Sequence, residues 1–536
     1  MSDQTTQERS LFGVAQLSLR SLILGMIGSM IITASSMYVA LRMSALPWPT
    51  IFVAILSMAI LKALGKTTLN EINITQTAMS AGAMVAGGLA FTIPGLWITG
   101  VWQGKELLAQ HFWEVLAISL AGMILGTVLT WYARNKFVIK EKLPYPIGQA
   151  AAEAIVVGDS GGKKSANLFG SMFLASIFTF LRDGIGIIPM NIGVLLSPLA
   201  ISTGYIIGTL YTGVWFLGGV LAYWIIIPLG PALKIFPSVD SAIGFKTTTG
   251  IGLMVGTGIG VLLAYLISII KKTIHSASLK QTHQDASVYS GKVKLLSLIA
   301  LLVAYILTIL SGMEPIPSCL LLIGITIAST MASTITGETG INPMEIFGII
   351  ILLAIRLFVK VDMVHAFFIA AGVAIACGYA GDLLNDYKTG QVLNTNPVAQ
   401  LISQVVGGIF GTLVATVSLF AVINQFGGVG SDFGLPAAQS FAVSQMVGGI
   451  GDPLVFGIAA TIGALLYLFK VPVMTLGIGM LLPLGFSAAA FIGGIIRFFI
   501  NRFNPRHVES GNITASGFLG GEGLTGVGLA IFKMFF

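Results

Sequence analysis

The sequence predicts an all-α, polytopic integral membrane protein of about 16 transmembrane helices, each needing some 20 apolar residues. It predicts two related halves, with broken or re-entrant helices between the full spans. Three observations lead there. Of 536 residues, 55% are hydrophobic and 9% charged, with mean hydropathy +0.93. A soluble domain has roughly 25% charged residues, and a soluble chain so poor in charge would have nothing to cover its surface with. Apolar runs of membrane-spanning length recur along the chain. Polar motifs also recur in matching order on either side of one hydrophilic linker, 271–294.

In order, residues 1–10 are polar, and Leu22–Leu41 is long enough to span, so it reads as a first transmembrane helix and not a cleavable signal. Spans are expected at 22–42, 46–65, 74–98, 113–133, 165–182, 202–229 and 248–270, with shorter pieces at 143–158 and 185–200. After the linker they are expected at 295–313, 316–335, 343–360, 363–380, 397–422, 453–470, 472–500 and 514–535, with broken pieces at 381–395 and 437–452. The halves are therefore 1–270 and 295–536. The linker carries Lys271, Lys272, Lys280, Lys292 and Lys294 against Asp285, which marks it as cytoplasmic. The loop 134–142 and the pair Lys62 and Lys66 agree with a cytoplasmic N-terminus, whereas Arg502 and Arg506 do not fit that scheme. The expected location is the cell (inner or plasma) membrane.

Three echoes link the halves. Ile72-Asn73 is matched by Ile341-Asn342, Tyr145-Pro-Ile-Gly148-Gln149 by Tyr387-Lys-Thr-Gly390-Gln391, and Gly244-Phe245 by Gly517-Phe518. Together they suggest a parallel duplication, with a site at the interface of the repeats.

The stretch 70–98 carries the clearest functional pattern. As a helix, Asn73, Gln76, Thr77 and Ser80 fall at i, i+3, i+4 and i+7 and share one face, continued by the small Ala83 and Gly87. Glu71 precedes that face and Pro94-Gly95 end the run. A polar stripe on a helix otherwise fit for lipid is expected to line a polar path. The alternative is that 71–80 is partly unwound and that its backbone makes the contacts.

A second cluster, Leu143-Pro-Tyr-Pro-Ile-Gly-Gln-Ala-Ala-Ala-Glu153, places Gln149 and Glu153 on one helical face. Its counterpart, Gly381 to Gln391, holds Asp382, Asp386, Tyr387 and Lys388. Intramembrane ionisable residues are functional candidates. Glu522, in Gly-Gly-Glu-Gly, is hard to explain as surface. Arg182-Asp183, Glu338, Glu345, Asp452, and the Arg356, Lys360, Asp362 and His365 group read as internal salt bridges or span boundaries.

Other classes are excluded on the residues. The net charge of +7 comes from only 28 Lys and Arg, spread in short loops, which is a topology signal and not a nucleic-acid surface. Cys319 and Cys377 lie in apolar stretches and read as buried hydrophobes, not a disulfide. His111, His275, His283, His365 and His507 lack zinc-like spacing, and no Walker A or Gly-x-Ser-x-Gly motif occurs. No enzyme, metal site or cofactor is expected, which leaves a secondary transporter or a channel.

With these motifs placed, the chain resembles the oligopeptide transporter (OPT) family, which includes the yellow-stripe-like metal-chelate transporters. The resemblance rests on Glu71–Gly82, Lys142-Leu-Pro-Tyr-Pro-Ile-Gly-Gln-Ala-Ala-Ala-Glu153, Gly381-Asp-Leu-Leu-Asn-Asp-Tyr-Lys-Thr-Gly390, Leu481-Leu-Pro-Leu-Gly485 and Gly521-Glu-Gly-Leu. It implies a symporter that couples inward movement of small peptides, or of amino-acid-derived metal chelates, to a proton gradient. The eukaryotic peptide-carrying branch is marked by Asn-Pro-Gly and a Lys-Ile-Pro-Pro-Arg-like motif. Neither is present here and Asn70-Glu71-Ile72 stands instead, so the resemblance is to the prokaryotic or yellow-stripe-like side.

The expected substrate contacts are Asn73, Gln76, Thr77, Ser80, Tyr145, Gln149, Asn342, Tyr387 and Gln391. The candidate proton carriers are Glu71, Glu153, Asp382, Asp386 and Glu522. Breaks at Pro94, Pro144, Pro146 and Pro343 would free backbone groups for the cargo. The expected partners are a small-molecule substrate, a proton and the bilayer, with no nucleic acid. A homodimer stays open as an oligomeric state. The alternatives kept are a polar-solute channel and a sodium-coupled carrier of another small solute.

Overall fold

The computed structural model describes residues 16–43, 49–104, 107–160, 162–189, 193–276, 291–340, 342–430, 433, 435, 437–447 and 452–535. Among them there are helices and connections but no strand. Up to residue 276 the chain forms α1 (Leu19–Met43), α2 (Pro49–Ala63), α3 (Leu69–Ala90), α4 (Gly95–Ile98), α5 (Leu107–Ala133), α6 (Pro146–Ser160), α7 (Gly162–Thr179), α8 (Pro198–Ile207), α9 (Thr209–Val220), α10 (Ile227–Ala232) and α11 (Val239–Ser276). From residue 291 it forms α12 (Gly291–Leu310), α13 (Pro315–Thr339), α14 (Met344–Arg356), α15 (Met363–Gly381), α16 (Leu383–Leu393), α17 (Pro397–Phe426), α18 (Ala438–Val447), α19 (Pro453–Leu468), α20 (Val473–Leu481), α21 (Leu484–Phe503) and α22 (Val508–Phe535). Among the described residues, ten helical segments are long and apolar enough to cross a membrane.

The innermost elements are α3 and the α15–α16 pair, which are buried along most of their length. They run antiparallel: Gly88 lies on Ile375, Met84 on Gly378, and Gln76 meets Asp386. On its other sides α3 runs parallel to α1 and α17. Gly82 is wedged between Ser29 and Thr33 of α1 and Gly411 of α17, where a Cβ on either glycine would collide with the neighbouring helix. Ser29 Oγ donates to Gly407 O (2.8 Å) and Ser403 Oγ to Ile74 O (2.6 Å), tying the three helices together. An outer layer has exposed apolar side chains, as on α12 and α9. Such a surface suits lipid and not water.

Several expected spans differ in the structure. The run 202–229 is broken at Gly208, whose φ of +95° only glycine adopts freely. The run 472–500 is broken at Leu482, which precedes Pro483 and is driven to extended backbone (ψ 152°). The basic loop 134–142 is no loop over most of its length: Arg134–Lys140 continue α5 as a π-helical turn. Cys319 is exposed on α13, against its expected burial, while Cys377 is buried, and both are free thiols. Residues 71–80 are helical and not unwound. The linker 271–294 is helical up to Ser276 and again from Gly291, and 277–290 lie outside the described residues. The echoed motifs take different local structures. Tyr145 precedes α6 at a φ of +42°, whereas Tyr387 is inside α16.

Candidate functional site

The site begins with how α3 starts. Thr68 caps it, its hydroxyl accepting the Glu71 amide at 3.1 Å. The Glu71 carboxylate is buried and accepts from Ser18 (2.7 Å), Thr67 (2.8 Å) and the Arg20 guanidinium, with which it forms an ion pair. One turn on, Asn73, Gln76, Thr77 and Ser80 are all buried. A buried amide without a partner costs about 1–3 kcal/mol, so the neighbours that answer these groups define the site.

The principal neighbour is the α15–α16 kink at Asp382. There the helical ladder slips, and Asn385 N bonds Asp382 O three residues back at 3.0 Å. Two α15 carbonyls at the kink bond side chains from outside. Asn342 Nδ2 donates to Cys377 O (2.8 Å), and Ser333 Oγ donates to Ala380 O (2.6 Å). Asn342 Nδ2 also donates to Asp382 Oδ2 at 2.9 Å. Such side-chain repair is what lets a helix bend inside lipid.

Beyond the kink α16 presents Asp386 to α3. Gln76 Nε2 donates to Asp386 Oδ1 (2.8 Å) and to Thr50 O (3.2 Å), and Asn73 Nδ2 reaches Gln76 Oε1 (3.3 Å). From α17, Gln400 Nε2 donates to Asp386 O (3.0 Å) and Thr77 Oγ1 (3.2 Å). Tyr387 OH donates to Gln404 Oε1 at 2.8 Å. Asp386 Oδ2 and Asn73 Oδ1 are buried and complete no hydrogen bond. Among the described residues no cation lies within ion-pair distance of Asp382, Asp386 or Glu345. The result is a carboxylate in a shell of amides and hydroxyls. It can exchange a proton or meet the amides of a polar solute with little competing charge.

The two motif clusters of the sequence touch. Gly148 N donates to Asn385 Oδ1 (3.1 Å), and Thr389 Oγ1 donates to Gly148 O (2.9 Å). Tyr145 fixes the start of α6 on α13, its amide donating to Gly337 O and its hydroxyl to Ser333 O, each at 2.8 Å. Gln149 and Glu153, the face singled out in sequence, are exposed on α6 and do not enter the network. Gln391 lines a separate recess of about 480 Å³ with Arg134, Asn394 and Asn396.

Glu522 sits elsewhere. It accepts from Arg182 (2.9 Å), Ser197 Oγ (2.9 Å) and the Leu199 amide (2.8 Å), joining α22 to the start of α8. Arg182 also pairs with Asp183 at 2.6 Å, so the expected internal salt bridge is present. Glu345, read in sequence as an internal salt bridge or a span boundary, is buried in the first turn of α14, with no ion pair among the described residues.

Sequence reading passed over Asn385, Gln400, Ser403 and Gln404. The last three fall at i, i+3 and i+4, the spacing that exposed the α3 stripe, and the apolar length of 397–422 hid them.

Comparison with known proteins gives two results. The family described as "OPT oligopeptide transporter protein" matches residues 16–533. A Haemophilus influenzae protein named "Putative oligopeptide transporter" is 26% identical over 599 aligned positions, covering 92% of this chain and 92% of its own.

Proposed function

The chain belongs to the OPT oligopeptide transporter family, and from that premise we propose that it is a proton-coupled secondary symporter. Its cargo is short oligopeptides or amino-acid-derived metal chelates, imported across the cell membrane. That it is a multi-pass transport protein follows from the family and from its apolar helices. The coupling and the cargo are our reading.

One observation carries this reading: Asp386, on a central helix whose hydrogen-bond ladder slips at Asp382, is buried against Gln76 and other neutral groups, and among the described residues no cation lies within ion-pair distance of it. A proton on Asp386 removes a charge from a poorly hydrated site and weakens the hydrogen bond from Gln76 without removing its acceptor. Asn73, Gln76, Thr77, Ser80 and Tyr387 then offer amides and hydroxyls to the peptide groups of the cargo. Asp382, four residues before Asp386, is the second carboxylate of the relay. Asn342 and Ser333 hold the α15–α16 junction in position, and Tyr145 fixes the start of α6 on α13. Glu71 and Glu522 hold helices together through their arginines and carry no proton. If protonation and cargo both favour one access state, each raises the population of that state and transport is coupled.

The same end of the bundle collects Lys62, Lys66, Arg134, Lys136 and Lys140. By the positive-inside rule these charges support a cytoplasmic position for that end. Gln16 donates to Asn394 O there, which supports a cytoplasmic N-terminus.

The test is uptake into proteoliposomes under an imposed pH gradient, with di- to pentapeptides and metal chelates as competitors. Saturable accumulation against a cargo gradient, abolished by a protonophore, is the expected result. Non-saturating flux would show a channel, and accumulation driven by a sodium gradient alone would refute proton coupling.

A further inference from the structure

Tyr379 is a fully buried side chain whose hydroxyl has no protein partner among the described residues. Its ring is clamped between two glycines. It starts against Gly126 of α5, where a Cβ would stand 2.6 Å from Tyr379 Cβ. Its hydroxyl ends against Gly408 of α17, 2.6 Å from the place a Cβ would take there. A phenylalanine fills the same space without stranding a polar group, and a stranded hydroxyl is a cost to the folded state. Packing therefore does not account for the hydroxyl.

Gln404 lies one turn before Gly408 on the same face of α17. Helical side chains lean toward the N-terminus, so the space beside Gly408 overlies Gln404. Gln404 is buried, and its Oε1 accepts from Tyr387 OH at 2.8 Å. Its Nε2 makes only a long contact, 3.5 Å, with Thr127 Oγ1. Residues four apart on a helix have Cβ atoms about 5–6 Å apart. Rotation of the Gln404 side chain between its staggered positions spans that distance and brings its amide to the Tyr379 hydroxyl.

The two tyrosines stand on opposite sides of the α15–α16 junction. Tyr379 precedes Asp382 on α15, and Tyr387 follows it on α16. α15 is packed on α3 and α5 through Gly88, Gly122 and Gly126, whereas α16 begins where the helical ladder slips. Movement of α16 takes Tyr387 with it and strips Gln404 Oε1 of its donor. A buried amide left so would oppose the movement.

We propose that Tyr379 is a positioning residue for transport. Its hydroxyl donates to Gln404 Oε1 when α16 carries Tyr387 away, so the buried amide keeps a donor in both access states. The proposal rests on the reading of the protein as a carrier that alternates access. Within that reading Tyr379 touches neither cargo nor proton.

The experiment uses the full-length protein in lipid nanodiscs, with Cys319→Ser and a nitroxide on Val392→Cys, an exposed position of α16. Its spectrum separates resting and displaced components of α16. Tyr379→Phe removes the bond of the displaced state and is expected to shrink the displaced component about tenfold. Tyr387→Phe removes the bond of the resting state and is expected to enlarge it several-fold. In a Gln404→Met background the acceptor is gone, and Tyr379→Phe is expected to leave the spectrum unchanged. Tyr379→Phe breaks no bond of the resting state, so its thermal unfolding is expected at or above the parent's temperature, while uptake of Ala-Ala-Ala under an imposed pH gradient slows several-fold. A spectrum that Tyr379→Phe leaves unchanged overturns the proposal, as does a shift that persists with Gln404→Met. A Tyr379→Phe protein that unfolds as easily as Tyr387→Phe also overturns it, because the hydroxyl then already bonds in the resting state. Opposite spectral shifts in the two tyrosine variants, with no uptake by the parent, refute peptide import and leave the hand-off standing.

Discussion

Asp386 and Glu522 are both buried carboxylates, and the structure assigns their neutralisation opposite consequences. In Asp386→Asn the new side chain has the same shape, and its Oδ1 still accepts the Gln76 bond of 2.8 Å. No buried cation loses a partner. The change therefore removes a charge from an apolar interior while keeping its principal hydrogen bond, and stability is expected to hold within about 1 kcal/mol. Glu522→Gln also keeps the shape, but it strips a charge from Arg182, whose side chain is 1% exposed. Breaking a buried pair costs about 3–5 kcal/mol. Asp183 remains on Arg182 at 2.6 Å and is itself partly exposed, so the lower end of that range applies. The expected gap between the two variants is thus about 2–3 kcal/mol. Unfolding titrations of both purified proteins in one detergent measure it, with pH-driven uptake in parallel. Asp386→Asn is expected to fold as well as the parent and to lose accumulation under a pH gradient. If it is instead destabilised as much as Glu522→Gln, the charge on Asp386 is structural and the argument fails.

Tyr387→Phe removes the donor to Gln404 Oε1 and leaves that oxygen buried; thermal unfolding should report a loss of about 1–3 kcal/mol. Gly411→Val puts a side chain where Gly82 and the Ser29 hydroxyl already stand, so an overpacking loss of about 1–3 kcal/mol is expected, with a smaller one for Gly411→Ala. Glu71→Gln weakens the clamp to Arg20, whose side chain is one-third exposed. Its destabilisation should be about 1 kcal/mol, should shrink as salt rises, and should leave the pH dependence of uptake unchanged. A shifted pH profile in Glu71→Gln would return that residue to the proton path.

The membrane class and the α3 stripe were legible because both are periodic. Asn73, Gln76 and Thr77 lie at helical spacing, and their pairing with Asp386 and Gln400 satisfies the need that spacing implied. The partners were not legible, because contacts such as Gln76 to Asp386 cross more than 300 residues of chain. Nor could spacing separate Asp386 from Glu522. Both are acids in apolar runs, and only the fold shows that Arg182 reaches one while amides meet the other. That Gln149 and Glu153 lie exposed on α6 was not legible for a related reason. A shared helical face says which residues point together, but it does not say whether they point inward, and on α6 the buried face is that of Ala151, Ala152 and Ile155.

The middle of the bundle explains why its two ends can differ. α3 and α17 touch through Ala78 on Gly407 and Gly82 on Gly411, where no side chain separates the backbones. A slide of one turn, about 5.4 Å, would drive side chains into these contacts and pull Gln400 away from Thr77. That pair is therefore a fixed rail, and Ser29 of α1 and Ser403 bond across it. α16 is held differently. At its junction with α15 two carbonyls bond the side chains of Asn342 and Ser333. Hydrogen bonds lent by neighbouring helices can be exchanged at less cost than a helix's own ladder, and they bend more readily than packed glycine contacts slide. A swing of α16 about Asp382 would have to exchange these bonds together with those joining Gln76, Gln400 and Gln404 to Asp386 and Tyr387, and it would leave the glycine contacts between α3 and α17 in place.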